Sequence, residues 1–288
     1  MPPLLALLAL AACHPAPKAA PAAHPALWVV RDADTTIYLF GTVHTLKPDL
    51  SWFDGGLRKA FDASGQLVLE LVLPPEAGMQ ALVTELGTQT GAPLSARLPA
   101  DRAARLHAAL TSLGQSPTAL DRDEPWLAAL TLSVLPLQRL GYDSEDGAEA
   151  VLTKAAVAAG KPVLGLETAR VQLGYFDRLS PPAQAALLDE AIDDLPKARQ
   201  TMEATVAAWS KGDTAALAHL VNDDLKRSPE IADALLVQRN RRWADWIAAR
   251  MRAPGTVFVA VGAGHLAGPQ AVQAELAKRG LKAERVAD

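Results

Sequence analysis

The chain has a single cysteine, Cys13, among its 288 residues. One thiol can form no internal disulfide and no cysteine-rich zinc site. An excess of one charge is also missing. The formal net charge is −4 and the Lys and Arg residues are dispersed, so there is no basic footprint for nucleic acid and no nucleic-acid partner is expected. Past the first dozen residues no apolar run approaches the ~20 that a membrane-spanning helix needs. No serine sits in the G-x-S-x-G context of a nucleophile elbow. Gly262-x-Gly264-x-x-x-Gly268 departs from the G-x-G-x-x-G spacing of a dinucleotide site, and too little chain follows it to complete such a domain.

The N-terminus carries its own signal. Leu4 to Ala12 is apolar, and Leu10-Ala11-Ala12-Cys13 resembles the bacterial lipobox, in which the cysteine is lipidated and becomes the new N-terminus. The preceding Met1-Pro2-Pro3 lacks the usual Lys or Arg. Residues 1–13 are therefore expected to be a lipoprotein-type signal segment. Residues 14–26, rich in Pro and Ala, are expected to be a stiff, extended tether. The expected location is the bacterial cell envelope, facing the periplasm or exterior, held to the membrane by a lipid on Cys13.

From residue 27 onward the pattern is that of an α/β protein. Trp28–Arg31 and Thr35–Phe40 read as strands joined by a turn, and Gln66–Leu73, Lys161–Leu166, Thr256–Val261 and Ala283–Val286 read as four more. Apolar residues recur at three- and four-residue spacing over about 76–88, 100–113, 123–140 and 147–159. Further helices are expected from 168 to about 251 and over roughly 269–279. Strands separated by helices predict a largely parallel central sheet with flanking helices and a helix-rich middle segment, in one domain over 27–288.

Six histidines are present, and two share one context: a strand followed by Gly-x-x-His, at Gly41-Thr42-Val43-His44 and Gly262-Ala263-Gly264-His265. Imidazole is both the commonest metal ligand and an acid–base group near neutral pH. In open α/β sheets, ligands bind at the carboxyl ends of the strands, where both turns fall. Glu70 interrupts the apolar run Val68-Leu69-Glu70-Leu71-Val72-Leu73; unless this is an edge strand with Glu70 facing water, a carboxylate in a strand covered on both faces must be paired, metal-bound or protonated. Glu167 follows Val163-Leu164-Gly165-Leu166; it is either a strand-tip site residue or a first-turn helix residue favoured by the dipole. Along the helix expected over 230–251, Ala232, Leu235, Arg239, Trp243 and Trp246 fall within one ~80° arc. Arg239 thus needs an anionic partner unless it snorkels to water, which the flanking tryptophans make harder, and Asn240 lies at the edge of the same arc. His107 and His219 sit on otherwise ordinary helices.

Leu39-Phe40-Gly41-Thr42-Val43-His44, Leu69-Glu70-Leu71, Gly165-Leu166-Glu167-Thr168, Arg239-Asn240 and Val261-Gly262-Ala263-Gly264-His265-Leu266-Ala267-Gly268-Pro269 occur in the order found in the TraB/GumN family. The chain resembles that family, which includes the TraB and PrgY pheromone-shutdown proteins and the Tiki proteases, over about residues 27–288. One departure is Glu149 in Gly147-Ala148-Glu149, where an aspartate is expected, and Glu149 is left outside the core site. The resemblance implies a metal-dependent hydrolase fold related to erythromycin esterase and ChaN-like haem-binding proteins. It implies a divalent metal ion on His44, Glu70 and His265, with Glu70, Glu167, Arg239 and Asn240 as catalytic or supporting residues and Gly41 and Gly262 lying against the cofactor. Two imidazoles and a carboxylate can hold such an ion and leave a position for water. The implied reaction is hydrolysis of a peptide or small-molecule substrate. The alternatives are a non-catalytic peptide- or haem-binding protein, and an ester hydrolase using His and Glu without metal.

Overall fold

The structure, a computed structural model, describes residues 22–222 and 228–287. The lipobox with Cys13 and most of the expected tether lie outside the described residues. Its last residues, 22–26, lie against the folded domain. Ala23 donates its N–H to the Ser51 carbonyl at 2.7 Å and is buried, and His24 N–H reaches the Ser210 carbonyl at 2.7 Å.

Six strands form one sheet: β1 (Leu27–Arg31), β2 (Thr35–Thr42), β3 (Gln66–Leu71), β4 (Val163–Glu167), β5 (Gly255–Gly262) and β6 (Glu284–Arg285), in the order β4-β3-β5-β2-β1-β6. The four strands β4, β3, β5 and β2 are parallel; β1 pairs antiparallel with β2 and with β6. The expected α/β architecture with a largely parallel sheet is therefore present. The hairpin between β1 and β2 closes on Asp32, whose carboxylate accepts from the Thr35 N–H at 2.9 Å.

Side chains alternate across the central strands, so each strand feeds two cores. Phe40 and Phe258 face a cluster with Trp52, Phe61 and Trp209; Phe40 stacks on Trp52 at 5.6 Å and meets Trp209 edge-on at 6.2 Å. Ile37, Leu39, Val257, Val259 and Val261 face the other way, onto Trp243, Ile247 and Leu276. Truncating one of the buried rings to alanine is expected to cost about 3–5 kcal/mol. The helix-rich middle packs around a further cluster in which Leu106 and Leu110 meet Leu132 and Leu188. Helices Glu76–Gly87, Ala100–Ser112, Pro125–Arg139 and Ala148–Ala158 lie within about two residues of the bounds predicted from periodicity. The four-residue helix Leu94–Arg97 is too short for a period to register. Among the described residues no helix is long and apolar enough to cross a membrane.

Candidate active site

The parallel register brings the two distant Gly-x-x-His segments together. Gly41 pairs with Val261 and Thr42 with Gly262, so both chains leave the sheet side by side. Glu70 stands on β3 one residue past the Leu69–Ala260 pairing, and Glu167 ends β4. Four strands thus deliver His44, Glu70, Glu167 and Gly262 to one edge of the sheet, with His265 on the short 3₁₀ turn Ala263–Leu266 just beyond. This is the carboxyl end of the parallel strands, the usual place for a site in such a fold.

Arg239 is the hub. Its Nη2 donates to Glu70 Oε2 at 2.6 Å and to Glu167 Oε2 at 2.8 Å, and its Nε to Glu167 Oε1 at 3.0 Å. Nη1 donates to the Leu235 carbonyl at 3.3 Å and to His265 Nε2 at 3.1 Å. Its N–H groups are therefore fully used, as a buried guanidinium requires. The group also lies over the Trp243 ring at 4.7 Å. A π-helical turn, Asp233–Val237, precedes the helix Gln238–Arg250 and sets the phase that aims Arg239 inward. Both carboxylates that the guanidinium needed are thus on strand tips, and the reading of Glu167 as a mere helix-start residue is set aside.

Glu70 is buried, which by itself would raise its pKa. The imidazole of His265, the guanidinium, the His44 imidazole and the Gly262 N–H, at 2.5 Å from Oε1, outweigh that and hold it down to about 2. Gln172 Nε2 adds a bond to Oε2 at 3.2 Å. His265 is enclosed. Its Nδ1 lies 2.6 Å from Asn240 Oδ1, and the Asn240 amide is oriented by donating to the Gln270 carbonyl at 2.7 Å. This network assigns the proton to Nδ1 and leaves Nε2 to accept from Arg239. Burial pushes the His265 pKa down to about 3, so its ring is neutral.

His44 is different. Its side chain is 70 % exposed, and Nδ1 is 2.6 Å from Glu149 Oε1. Glu149 also accepts from Thr42 Oγ1 at 2.5 Å. The attraction of Glu149, offset in part by desolvation, raises the His44 pKa to about 9. Glu149, left out of the site on the sequence, is therefore one of its members. What admits it is the glycine two residues before it. A Cβ on Gly147 would collide with the His44 carbonyl, and the Ala148 N–H donates to the Val43 carbonyl at 3.0 Å. Only a glycine lets the helix Ala148–Ala158 start against the His44 turn and present Glu149 to the ring.

Gly262 lies at the centre. A Cβ there would stand 3.1 Å from Glu70 Oε1, 3.6 Å from His44 Nε2 and 3.7 Å from the His265 ring. Gly41, expected against a cofactor, instead packs on Ala263, and its carbonyl accepts from Trp209 Nε1 at 2.7 Å.

The expected metal ligands converge here, but their lone pairs do not. His265 Nε2 and Glu70 Oε2 are both occupied by Arg239, whose positive charge opposes a second cation at the same point. Among the described residues no group of three or more His, Cys, Asp or Glu side chains is disposed to hold a metal ion. The residues as arranged do not fit a bound divalent ion.

An α/β domain with paired imidazoles and a buried carboxylate–guanidinium network at its strand tips defines the class. The chain belongs to the TraB/PrgY/gumN family, which matches residues 26–285. It is similar to the uncharacterized protein YbaP of Escherichia coli (strain K12), at 26% identity over 252 residues, covering 85% of this chain and 89% of that one. An uncharacterized protein of Treponema pallidum (strain Nichols) is 24% identical over 277 residues, covering 88% and 80%. No solved structure matches the chain.

Proposed function

We propose that the protein is a hydrolase of acyl bonds in which His44, backed by Glu149, moves the proton, held at the envelope surface by a lipid on Cys13. The observation that supports this is the asymmetry of His44: Nδ1 is tied to Glu149 at 2.6 Å, and Nε2 faces Glu70 Oε1 across the gap above Gly262. A carboxylate on Nδ1 fixes the tautomer and stabilises the imidazolium formed when Nε2 takes a proton, the logic of a carboxylate–histidine pair. In this reading a water in the gap hydrogen-bonds to Glu70 Oε1 and loses a proton to His44 Nε2 as its oxygen attacks the acyl carbon. His44 returns the proton to the leaving oxygen or nitrogen as the acyl bond breaks, giving an acid and an alcohol or amine. Glu70, ionised and clamped by Arg239, positions the water and is too weak a base to replace His44.

The test is turnover of a panel of p-nitrophenyl esters and a peptide library by the purified full chain, with chelator and with added divalent metals. Turnover that survives chelation, is lost in His44→Ala, and is reduced about 10²-fold in a folded Gly262→Ala, whose methyl fills the gap, is the expected result. Turnover that appears only with added metal would restore the ligand set implied by family resemblance. A folded protein that binds peptide or haem and cleaves nothing would overturn the hydrolase reading.

A further inference from the structure

Beside the network stands a second group of charges that the reaction leaves unused. Tyr175, on the helix Ala169–Asp177, donates its hydroxyl hydrogen to Glu167 Oε1 at 3.1 Å and accepts from Arg242 Nη2 at 2.9 Å. Three guanidiniums surround its ring: Arg242 at 5.2 Å, Arg239 at 5.6 Å and Arg178 at 5.9 Å from the centroid. Arg239 is neutralised by Glu70 and Glu167. Arg178 and Arg242 are exposed, and among the described residues neither has a carboxylate within ion-pair distance.

The pair is held in place. A Cβ at Gly174 would collide with the Arg178 guanidinium, so the glycine makes the bed in which that group lies next to Tyr175. Arg242 is fixed by the Tyr175 hydroxyl, which is itself fixed by Glu167. Two like charges positioned on one aromatic ring repel each other, and a single oxyanion accepting from both removes that repulsion. Planar guanidiniums suit carboxylate and phosphate alike.

We infer that Arg178, Tyr175 and Arg242 form an oxyanion subsite, taking a carboxylate or phosphate carried by the substrate at a distance from the bond that is cut. Its purpose rests on the hydrolase reading; its chemistry does not. The Tyr175–Glu167–Arg239 chain of hydrogen bonds links the subsite to the wall of the reaction site, so an anion anchored here would orient the remainder of the substrate toward His44.

The experiment is thermal-shift titration of the full chain at constant ionic strength. The probes are an N-acetyl dipeptide with a free carboxylate, the same dipeptide amidated, and inorganic phosphate. A ligand specific to the native state raises Tm in a saturable way. The expected result is a saturable shift with the free acid or with phosphate and none with the amide; which of the two acts identifies the source of the oxyanion. Arg178→Gln and Arg242→Gln, both at exposed positions, should each weaken that binding about tenfold or more. Arg241→Gln, an exposed neighbour that does not touch Tyr175, should leave it unchanged. No saturable shift with any probe would overturn the subsite, as would equal binding in the wild type and both variants. An equal loss in Arg241→Gln would do the same, reducing the effect to general surface charge. Because binding is read without turnover, a chain that binds the oxyanion and cleaves nothing would fail the hydrolase reading and leave the subsite standing.

Discussion

The two Gly-x-x-His turns have the same form and sit side by side, yet they hold their imidazoles in opposite states. His265 is 10 % exposed at its side chain, has both ring nitrogens engaged by Asn240 and Arg239, and is kept neutral by burial. His44 is open to solvent, has one nitrogen on Glu149, and is kept cationic by that carboxylate. The difference comes from what packs on each turn. The His265 turn lies beneath the helix Gln238–Arg250, with the Trp243 ring 4.4 Å from its imidazole. The His44 ring is met by Glu149, at the start of the helix Ala148–Ala158, and is otherwise largely exposed. One turn is built as structure and the other as a reactive group, so a repeated motif need not mean a repeated role.

The largest effect should come from breaking the buried half. Arg239→Met leaves Glu70 and Glu167 buried without their cationic partner and is expected to destabilise the fold by about 3–5 kcal/mol, a fall in Tm on the order of 10 °C. His44→Ala removes an exposed ring and should change stability by less than about 1 kcal/mol while abolishing the proton transfer, worth about 10²–10⁴-fold in rate. Thermal melts of the two variants beside the wild type check this. Equal losses of Tm would mean that His44 is as structural as the buried Arg239 network and would dissolve the contrast.

A smaller effect sharpens the exposed half. With a pKa of about 9, His44 is protonated at neutral pH and becomes a base only as the pH rises, so the rate should climb along an alkaline limb near that value. The chief cause of the raised pKa is Glu149. In Glu149→Gln the limb should therefore move down toward the ordinary value of 6.5, with a lower plateau because the weaker base is also the poorer one. A pH–rate profile in which the limb does not move would remove Glu149 from the mechanism.

Much of this was legible in the residues themselves. Glu70 in an apolar strand and Arg239 on an apolar helix face each called for a partner, although nothing in the residues named either as the other's. Strand-end placement followed from the alternation of strands and helices. Three things were not legible. Glu149 contacts His44 across 105 residues of sequence, and the contact depends on the missing Cβ of Gly147. The inequality of the two histidines is set by tertiary packing, which two identical tetrapeptide patterns cannot encode. And the ligand set drawn from His44, Glu70 and His265 counted residue types without counting lone pairs, two of which Arg239 takes. The five-donor geometry of a buried guanidinium is a property of its neighbours, visible only once they are in place.

The smallest effect separates the two turns by pH alone. The folded His265 has its pKa lowered to about 3 from 6.5, so the unfolded chain takes up that proton first, and the stability tied to a neutral ring is lost as pH falls from 6.5 toward 3. Glu70, lowered to about 2 from 4.5, adds its own loss only below 4.5. Between 6.5 and 4.5 the loss on acidification belongs to the His265 turn, opposed by Asp123, whose burial raises its pKa to about 6 so that protonation there favours the fold. His44, raised to about 9 from 6.5, contributes stability that is complete below 6.5 and lost as pH climbs through 9. Because its ring is open to water, that alkaline slope is the shallower one. Tm measured across pH should fall on both sides of 6.5 in the wild type. His265→Gln should remove the decline between 6.5 and 4.5 and leave the alkaline side, whereas His44→Gln should flatten the alkaline side and leave that window alone. If either variant alters the opposite slope instead, the turns are electrostatically one unit, and the division of labour between a structural and a reactive histidine fails.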